Sequence, residues 1–144
     1  MSNTADFMKA ANAIQVQMKA SFKNISRWDI LDEAEPDYNN PDDILIARQL
    51  NRIFELLEEA SDEIEYLNKE VKYVGPIHIN ENGKYECPEK TYSCGSRIEY
   101  YVEADGDEPA CWAISTVEHS VNHNGYYITR CPDMKMEGLL VRVR

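Results

Sequence analysis

A long heptad pattern runs through the middle of the chain. Apolar residues recur there at alternating steps of four and three, the spacing that keeps one apolar seam along a helix. Asn40 and Pro41 suit the helix start, because asparagine caps free backbone amides and proline fits the first turn. The sequence predicts a helix that ends at Gly75-Pro76, with the seam Ile46, Leu50, Ile53, Leu57, Ala60, Ile64, Leu67, Val71 and Val74.

A second amphipathic helix is predicted before it, over about residues 3–26. Its apolar positions recur at steps of three and four and lie on one stripe: Phe7, Ala11, Ile14, Met18, Phe22 and Ile25. The acidic connection over residues 32–40 is long enough for the second helix to turn back on the first. We therefore predict an antiparallel helical hairpin over residues 1–74.

The two predicted helices differ in length. If the first pairs along its full extent, about ten residues of the second, from Ile64 to Val74, have no partner in the hairpin. The seam there is narrow, as in a coiled coil. Ile64, Leu67 and Val71 are thus candidates for a surface that binds a protein partner or a second copy of the chain. The alternative is that the domain that follows covers them.

After residue 76 the apolar pattern alternates, as it does in β-strands. Two short runs flank Asn82-Gly83, the favoured sequence of a two-residue type I′ hairpin turn. Further strands are expected over residues 97–103, 111–118, 126–130 and 139–144. Short strands spaced this closely predict a small closed or nearly closed antiparallel barrel over residues 75–144. The chain is therefore expected to be an α+β protein.

Charge limits the classes of partner. The net charge is −11, with two runs, residues 29–43 and 55–65, that hold seven and six acids and no lysine or arginine. Such a surface repels nucleic acid and anionic lipid, and it suits a basic protein partner or a protein that imitates nucleic acid. Solubility alone is the simpler interpretation.

Membrane and secretory signals are not evident. No run of about 18 apolar residues occurs, and polar residues interrupt the opening segment. We therefore expect a cytoplasmic protein that has no membrane partner. The four cysteines, Cys87, Cys94, Cys111 and Cys131, are then most simply reduced thiols.

Catalytic and cofactor motifs are weak. The cysteines lack the close pairing of structural zinc sites, and the glycines are isolated rather than grouped around a phosphate. His119 and His123, with Cys111 or Cys131, are the only metal set suggested, and Cys94 with His119 as base is the best nucleophile. Loop histidines and packed thiols explain the same residues. We predict no catalytic residue, metal or cofactor.

Aromatic residues are the stronger candidates for binding. Strand alternation sends one ring of each adjacent pair inward and the other outward. Surface aromatics of small barrels bind extended peptides or stack on bases. The alternative is packing in the core and rim. The candidates are Tyr100, Tyr101, Trp112, Tyr126 and Tyr127.

The second half resembles the domain-of-unknown-function 5348 family over about residues 74–144. The resemblance is carried by Tyr92, Cys94-Gly95, Ile98-Glu99, Trp112, Glu118, Tyr126-Tyr127-Ile128, Gly138-Leu139 and Val141-Arg142-Val143. It implies a small SH3-like β-barrel and an association with conjugative elements, phages and other mobile DNA of Gram-positive bacteria. It implies no particular activity.

Together these features indicate a non-catalytic interaction or adaptor protein that uses a helical seam and a barrel surface. The alternative is a nucleic-acid-associated protein of mobile DNA. It would act as an acidic mimic that occupies a basic host protein, or through direct contact by the barrel arginines Arg97, Arg130, Arg142 and Arg144.

Overall fold

The computed structural model describes residues 3–22 and 36–144. The chain divides into two compact units, Met1–Lys69 and Glu70–Arg144, which we call unit 1 and unit 2. The predicted end of the first helix, residues 23–26, and residues 32–35 of the acidic connection lie outside the described residues. Neither described helix is long and apolar enough to cross a membrane.

Both predicted helix starts are confirmed in unit 1. Helix α1 (Thr4–Phe22) begins with a reciprocal cap, in which Asn3 and Asp6 each accept a hydrogen bond from the other's backbone amide. Helix α2 (Pro41–Asn68) begins at Asn40, whose side chain accepts from the amides of Asp42 and Asp43. The start of α2 was predicted from its asparagine cap, and the start of α1 from its apolar periodicity.

The predicted end of α2 is wrong. The helix stops at Asn68, and Lys69 has an extended backbone, with φ −67° and ψ 140°. Tyr73–Pro76 forms a strand instead. Val71 and Val74 keep the heptad spacing, but a run of β-branched and aromatic residues also suits a strand, and pairing with the end of the chain decides the outcome.

Polar contacts between α1 and α2 lie near the C-terminal end of α2. Gln15 donates to the Ser61 carbonyl at 2.9 Å, Lys19 pairs with Glu65 at 3.1 Å, and the Asn68 amide donates to Asn12 at 2.7 Å. The hydrogen bond and charge of Lys19 hold the pKa of Glu65 below its ordinary value. Along α1 these partners do not follow an antiparallel order, so pairing along the full helix stays a prediction.

Unit 2 consists of two antiparallel sheets. The eight strands are β1 (Tyr73–Pro76), β2 (His78–Ile79), β3 (Tyr85–Cys87), β4 (Lys90–Thr91), β5 (Arg97–Val102), β6 (Cys111–Ser120), β7 (Gly125–Ile128) and β8 (Leu140–Val143). The larger sheet has the order β1-β8-β5-β6-β7 and the smaller one β2-β3-β4. The last strand therefore lies between the first and the fifth. This arrangement confirms an α+β chain with an antiparallel β-rich second half.

The predicted closed barrel is not formed in unit 2. Strands β1 and β7 are the edges of the five-stranded sheet, and no strand pairing joins them within residues 70–144. The strands of the smaller sheet are two or three residues long and pair with one another rather than with those edges. The likeness to an SH3-like barrel stays a prediction.

The hairpin between β2 and β3 is confirmed, but its predicted turn type is wrong. The Gly83 amide donates to the Asn80 carbonyl at 3.0 Å, and Gly83 alone in the turn has a positive φ, of 73°. A type I′ turn needs positive φ at both central residues. The loop is instead a three-residue one in which Gly83 occupies the left-handed position.

The core of unit 2 is packed between the two sheets. One face of the larger sheet supplies Ile98, Tyr100, Val117, Ile128 and Val141, and the segments beside the smaller sheet add Ile77, Tyr92 and Met136. Burial of each large apolar side chain contributes about 1.5–3 kcal/mol. The alternation of Ile98, Tyr100 and Val102 on one face of β5 is confirmed.

Two polar contacts tie the smaller sheet to the rest of unit 2. Lys90 Nζ donates to the Arg97 carbonyl at 2.6 Å, and burial lowers the pKa of this lysine. Glu137 pairs with His78 at 2.7 Å and accepts from the Ile79 amide at 2.9 Å. Both contacts hold the small strands over the core.

We predict that ionisation of Tyr100 lowers the free energy of unfolding at alkaline pH. Burial and the nearby Cys131 thiol raise the pKa of Tyr100 to about 12. Because the folded pKa lies above the ordinary one, this stabilisation is complete below about pH 10 and is lost as pH rises towards 12, by roughly 2–3 kcal/mol in all. The free energy of unfolding of the wild type and Tyr100→Phe, measured by denaturant titration at each pH, should therefore converge over this range. Parallel curves for the two proteins would contradict the assignment.

Candidate functional site

The face of the larger sheet that points away from the core carries a set of polar and aromatic residues. Antiparallel register places Glu99 opposite both Ile114 and Arg142, and Tyr101 opposite Trp112. Directly opposed residues lie on the same face of a sheet. Strand alternation therefore puts the core residues on one face and these side chains on the other. We call this second face the outer face.

A buried carboxylate lies at the centre of the outer face. Glu99 is only 2% exposed, although it is charged. Arg142 Nε donates to Glu99 Oε1 at 2.6 Å, and Arg142 Nη2 also contacts that oxygen. Arg144 Nε donates to Glu99 Oε2 at 2.9 Å. Two arginines from the end of the chain thus pair with one carboxylate on β5.

An aromatic pair extends this ion cluster along the sheet. The Arg142 guanidinium lies over the Trp112 indole, 4.3 Å from its ring centroid. The Tyr101 ring meets Trp112 edge to face, with centroids 5.3 Å apart. Cation–π and edge-to-face contacts each favour one fixed side-chain arrangement. We call Glu99, Tyr101, Trp112, Arg142 and Arg144 the Glu99 cluster.

Residues 75–143 match a family model described as "Domain of unknown function (DUF5348)". The matched segment lies within unit 2, and we refer to it as the DUF5348 domain after the model that it matches. The match confirms the resemblance predicted from the sequence and includes four members of the Glu99 cluster, all except Arg144. No curated protein and no solved structure matches the chain.

The structure brings together only part of the predicted aromatic surface. Tyr101 and Trp112 are in contact on the outer face of the DUF5348 domain, whereas Tyr100 is buried in the core, as alternation predicted for one member of that pair. Tyr126 packs against the core, and its ring centroid lies 4.9 Å from that of His119. Tyr127 is on the outer face but pairs with Glu118, six residues along β6 from Trp112. At about 3.4 Å per residue it lies roughly 20 Å from Trp112, so the two tyrosine pairs do not form one compact patch.

The predicted helical candidates fall into different settings. Ile64 and Leu67 lie on α2, and Leu67 is exposed. Val71 lies beyond the end of the helix, so the three residues do not form one helical seam. Their role in binding stays a prediction.

The histidine and cysteine candidates are also separated by their contacts. His123 stacks on Tyr127 with centroids 4.1 Å apart, while His119 lies against Tyr126. All four cysteines are free thiols. Among the described residues, no three histidine, cysteine, aspartate or glutamate side chains are grouped closely enough to hold a metal ion.

Sequence reasoning missed Glu99, Arg142 and Arg144 as a cluster. Alternation alone places Arg142 and Arg144 on the face of the last strand that points away from its apolar residues. It likewise places Glu99 on the face of its strand that points away from Ile98 and Tyr100. The sequence does not show that β8 lies beside β5. The contact between these two strands brings together Glu99 and Arg142, which lie 43 positions apart in the sequence.

We predict that Glu99→Gln destabilises the DUF5348 domain by about 3 kcal/mol or more, because it removes the charge that compensates two partly buried arginines. The measurement is denaturant unfolding followed by Trp112 fluorescence, in a Trp28→Phe background that leaves Trp112 as the single tryptophan.

Glu118→Gln is the matched control, because Glu118 also lies on the outer face and is less buried than Glu99. Its expected cost is below about 1 kcal/mol, as for exposed charges. Equal effects of the two substitutions would show that the Glu99 pairing does not stabilise the domain.

Proposed function

We propose that this protein is a non-catalytic interaction or adaptor protein of the cytoplasm, and that its DUF5348 domain binds a protein partner through the Glu99 cluster. The observation that supports this most is the fixed arrangement of Tyr101, Trp112 and Arg142 on the outer face of the sheet. An association with mobile DNA, implied by the family resemblance, is part of the same proposal.

The residue types of the cluster suit protein recognition. Tryptophan, tyrosine and arginine are the residues that most often dominate the binding energy of an interface. Here each is held by a neighbour before any partner arrives: Arg142 by Glu99, Trp112 by Arg142, and Tyr101 by Trp112. Pre-organised side chains lose little conformational entropy on binding, which favours affinity.

Apolar residues continue this surface on the other side of Arg142. Val74 is paired with Arg142 across β1 and β8, and Leu140 is paired with Pro76. Both Val74 and Leu140 are exposed. A surface that combines apolar, aromatic and neutralised arginine side chains suits the apolar and polar side chains of a protein segment better than a row of phosphates.

The alternative function is that of an acidic nucleic-acid mimic that inhibits a basic host protein. Its support is the row of exposed acids on α2: Glu55, Glu59, Asp62, Glu63 and Glu65. Direct contact with nucleic acid has less support, because Arg142 and Arg144 are already paired with Glu99. Phosphate binding depends on cations that are available to the backbone.

We predict that Tyr101→Ala weakens partner binding by about 30-fold or more, the loss typical of an interface residue that contributes at least 2 kcal/mol. The partner is first captured on the full chain from a nuclease-treated lysate of the source cells. Its affinity for the purified wild type and variant is then measured by calorimetry. Thermal unfolding of the variant is followed in parallel to show that the domain stays folded.

Tyr38→Ala is the matched control, because Tyr38 is an exposed tyrosine of unit 1. Binding that survives Tyr38→Ala but not Tyr101→Ala supports the proposed surface. A partner whose affinity is unchanged by Tyr101→Ala overturns it. Loss of that partner on replacing Glu55, Glu59 and Asp62 with glutamine would favour the acidic mimic.

A further inference from the structure

The first half of α2 exposes a continuous apolar surface. Within the described part of unit 1, its large apolar side chains are 40–56% exposed: Leu45, Ile46, Leu50, Ile53 and Leu56. Met18 and Ala47 are the buried apolar residues described in this unit, whereas unit 2 has eight. These residues lie side by side on one helix and form a contiguous apolar patch, whereas ordinary protein surfaces expose large apolar residues singly.

Helix α1 does not cover this surface with the contacts described. Its hydrogen bonds reach Ser61, Glu65 and Asn68, at the other end of α2. The exposed residues run from Leu45 to Leu56. Those up to Ile53 lie more than two helical turns before Ser61. The seam predicted to be unmatched covers residues 64–74, where Leu67, Val71 and Val74 are exposed, and the structure also leaves the segment from 45 to 56 exposed.

The heptad spacing is preserved across the exposed segment. With Leu50, Leu57 and Ile64 at the a positions, Ile46, Ile53, Ala60 and Leu67 fall at d. Helix α2 has 28 residues, which is about 42 Å and four heptads. That length and spacing are those of a helix that packs lengthwise against another helix.

The distribution of charge around α2 identifies the kind of helix that fits. From Ile46 to Asn68, the e and g positions that flank the seam carry one charge, Glu63: their residues are Ala47, Gln49, Phe54, Leu56, Ser61, Glu63 and Asn68. The other acids of residues 55–65 lie at b, c and f, away from the seam. A second copy of α2 therefore approaches without a row of like charges, while a basic partner finds few acids beside the seam to pair with.

We propose that the chain self-associates through the seam of α2, with a second copy of the same helix packed on Ile46, Leu50, Ile53 and Leu57. The partner copy buries the apolar surface that is exposed in the described part of unit 1, and the acids at b, c and f lie away from the interface. This assembly is independent of the surface proposed for the DUF5348 domain and displays that surface at least twice.

The test is the mass of the full chain in solution, measured by light scattering and sedimentation equilibrium over a range of concentrations. We expect a multiple of 16.6 kDa for the wild type. Ile53→Lys should weaken the association by about 100-fold or more, because it puts an unpaired charge into an apolar seam. A wild type that stays monomeric at its highest soluble concentration overturns the proposal, whatever else covers the face.

Glu55→Lys is the matched control, since it introduces the same side chain at an f position two residues away. It should leave the mass unchanged. Equal dissociation by both variants would show that lysine acts through net charge rather than through the seam. Far-ultraviolet circular dichroism of each variant separates loss of association from loss of helix, and dissociation of the wild type on dilution needs no variant at all.

Discussion

The larger sheet of unit 2 depends on one buried carboxylate. An ionised side chain that is 2% exposed is costly to remove from water unless oppositely charged groups pair with it. Both groups that pair with Glu99 come from the last three residues of the chain, Arg142 and Arg144. The final strand must therefore lie beside β5, and β1 pairs with its other edge. One ion cluster thus fixes the position of both ends of the domain.

The same pairing determines what the outer face offers to a ligand. A carboxylate that binds two guanidinium groups leaves the cluster with a net charge of about +1 rather than +2 at neutral pH. Arg142 then serves as a planar surface that stacks on Trp112, and it is a weaker partner for phosphate. In the partner binding that we propose, aromatic and apolar contact is then the main source of affinity. The two arginines of the cluster are therefore less suited to a row of phosphates than their number suggests.

Local features of the chain could be predicted from the sequence. The start of α2 follows from an asparagine that satisfies free amides, and the inward face of β5 follows from alternation of Ile98, Tyr100 and Val102. Features that depend on distant partners could not. The end of α2 is decided by the pairing of Tyr73 with Val143, and the Glu99 cluster by the order of the strands. The spacing of Val71 and Val74 is compatible with a helix or a strand, and only the pairing with the last strand decides between the two.

The contrast between the two units explains why the acids are distributed unevenly. Unit 2 buries its large apolar residues against one another, so its surface needs little extra charge to stay in solution. Ten of the fifteen exposed large apolar residues lie in the described part of unit 1. A helix with such a surface stays soluble before assembly only if its other sides are strongly hydrated. The acids of α2 at b, c and f supply such hydration and lie away from the seam. In the self-association that we propose, one arrangement of charge therefore serves both the hydration of the helix and the choice of partner.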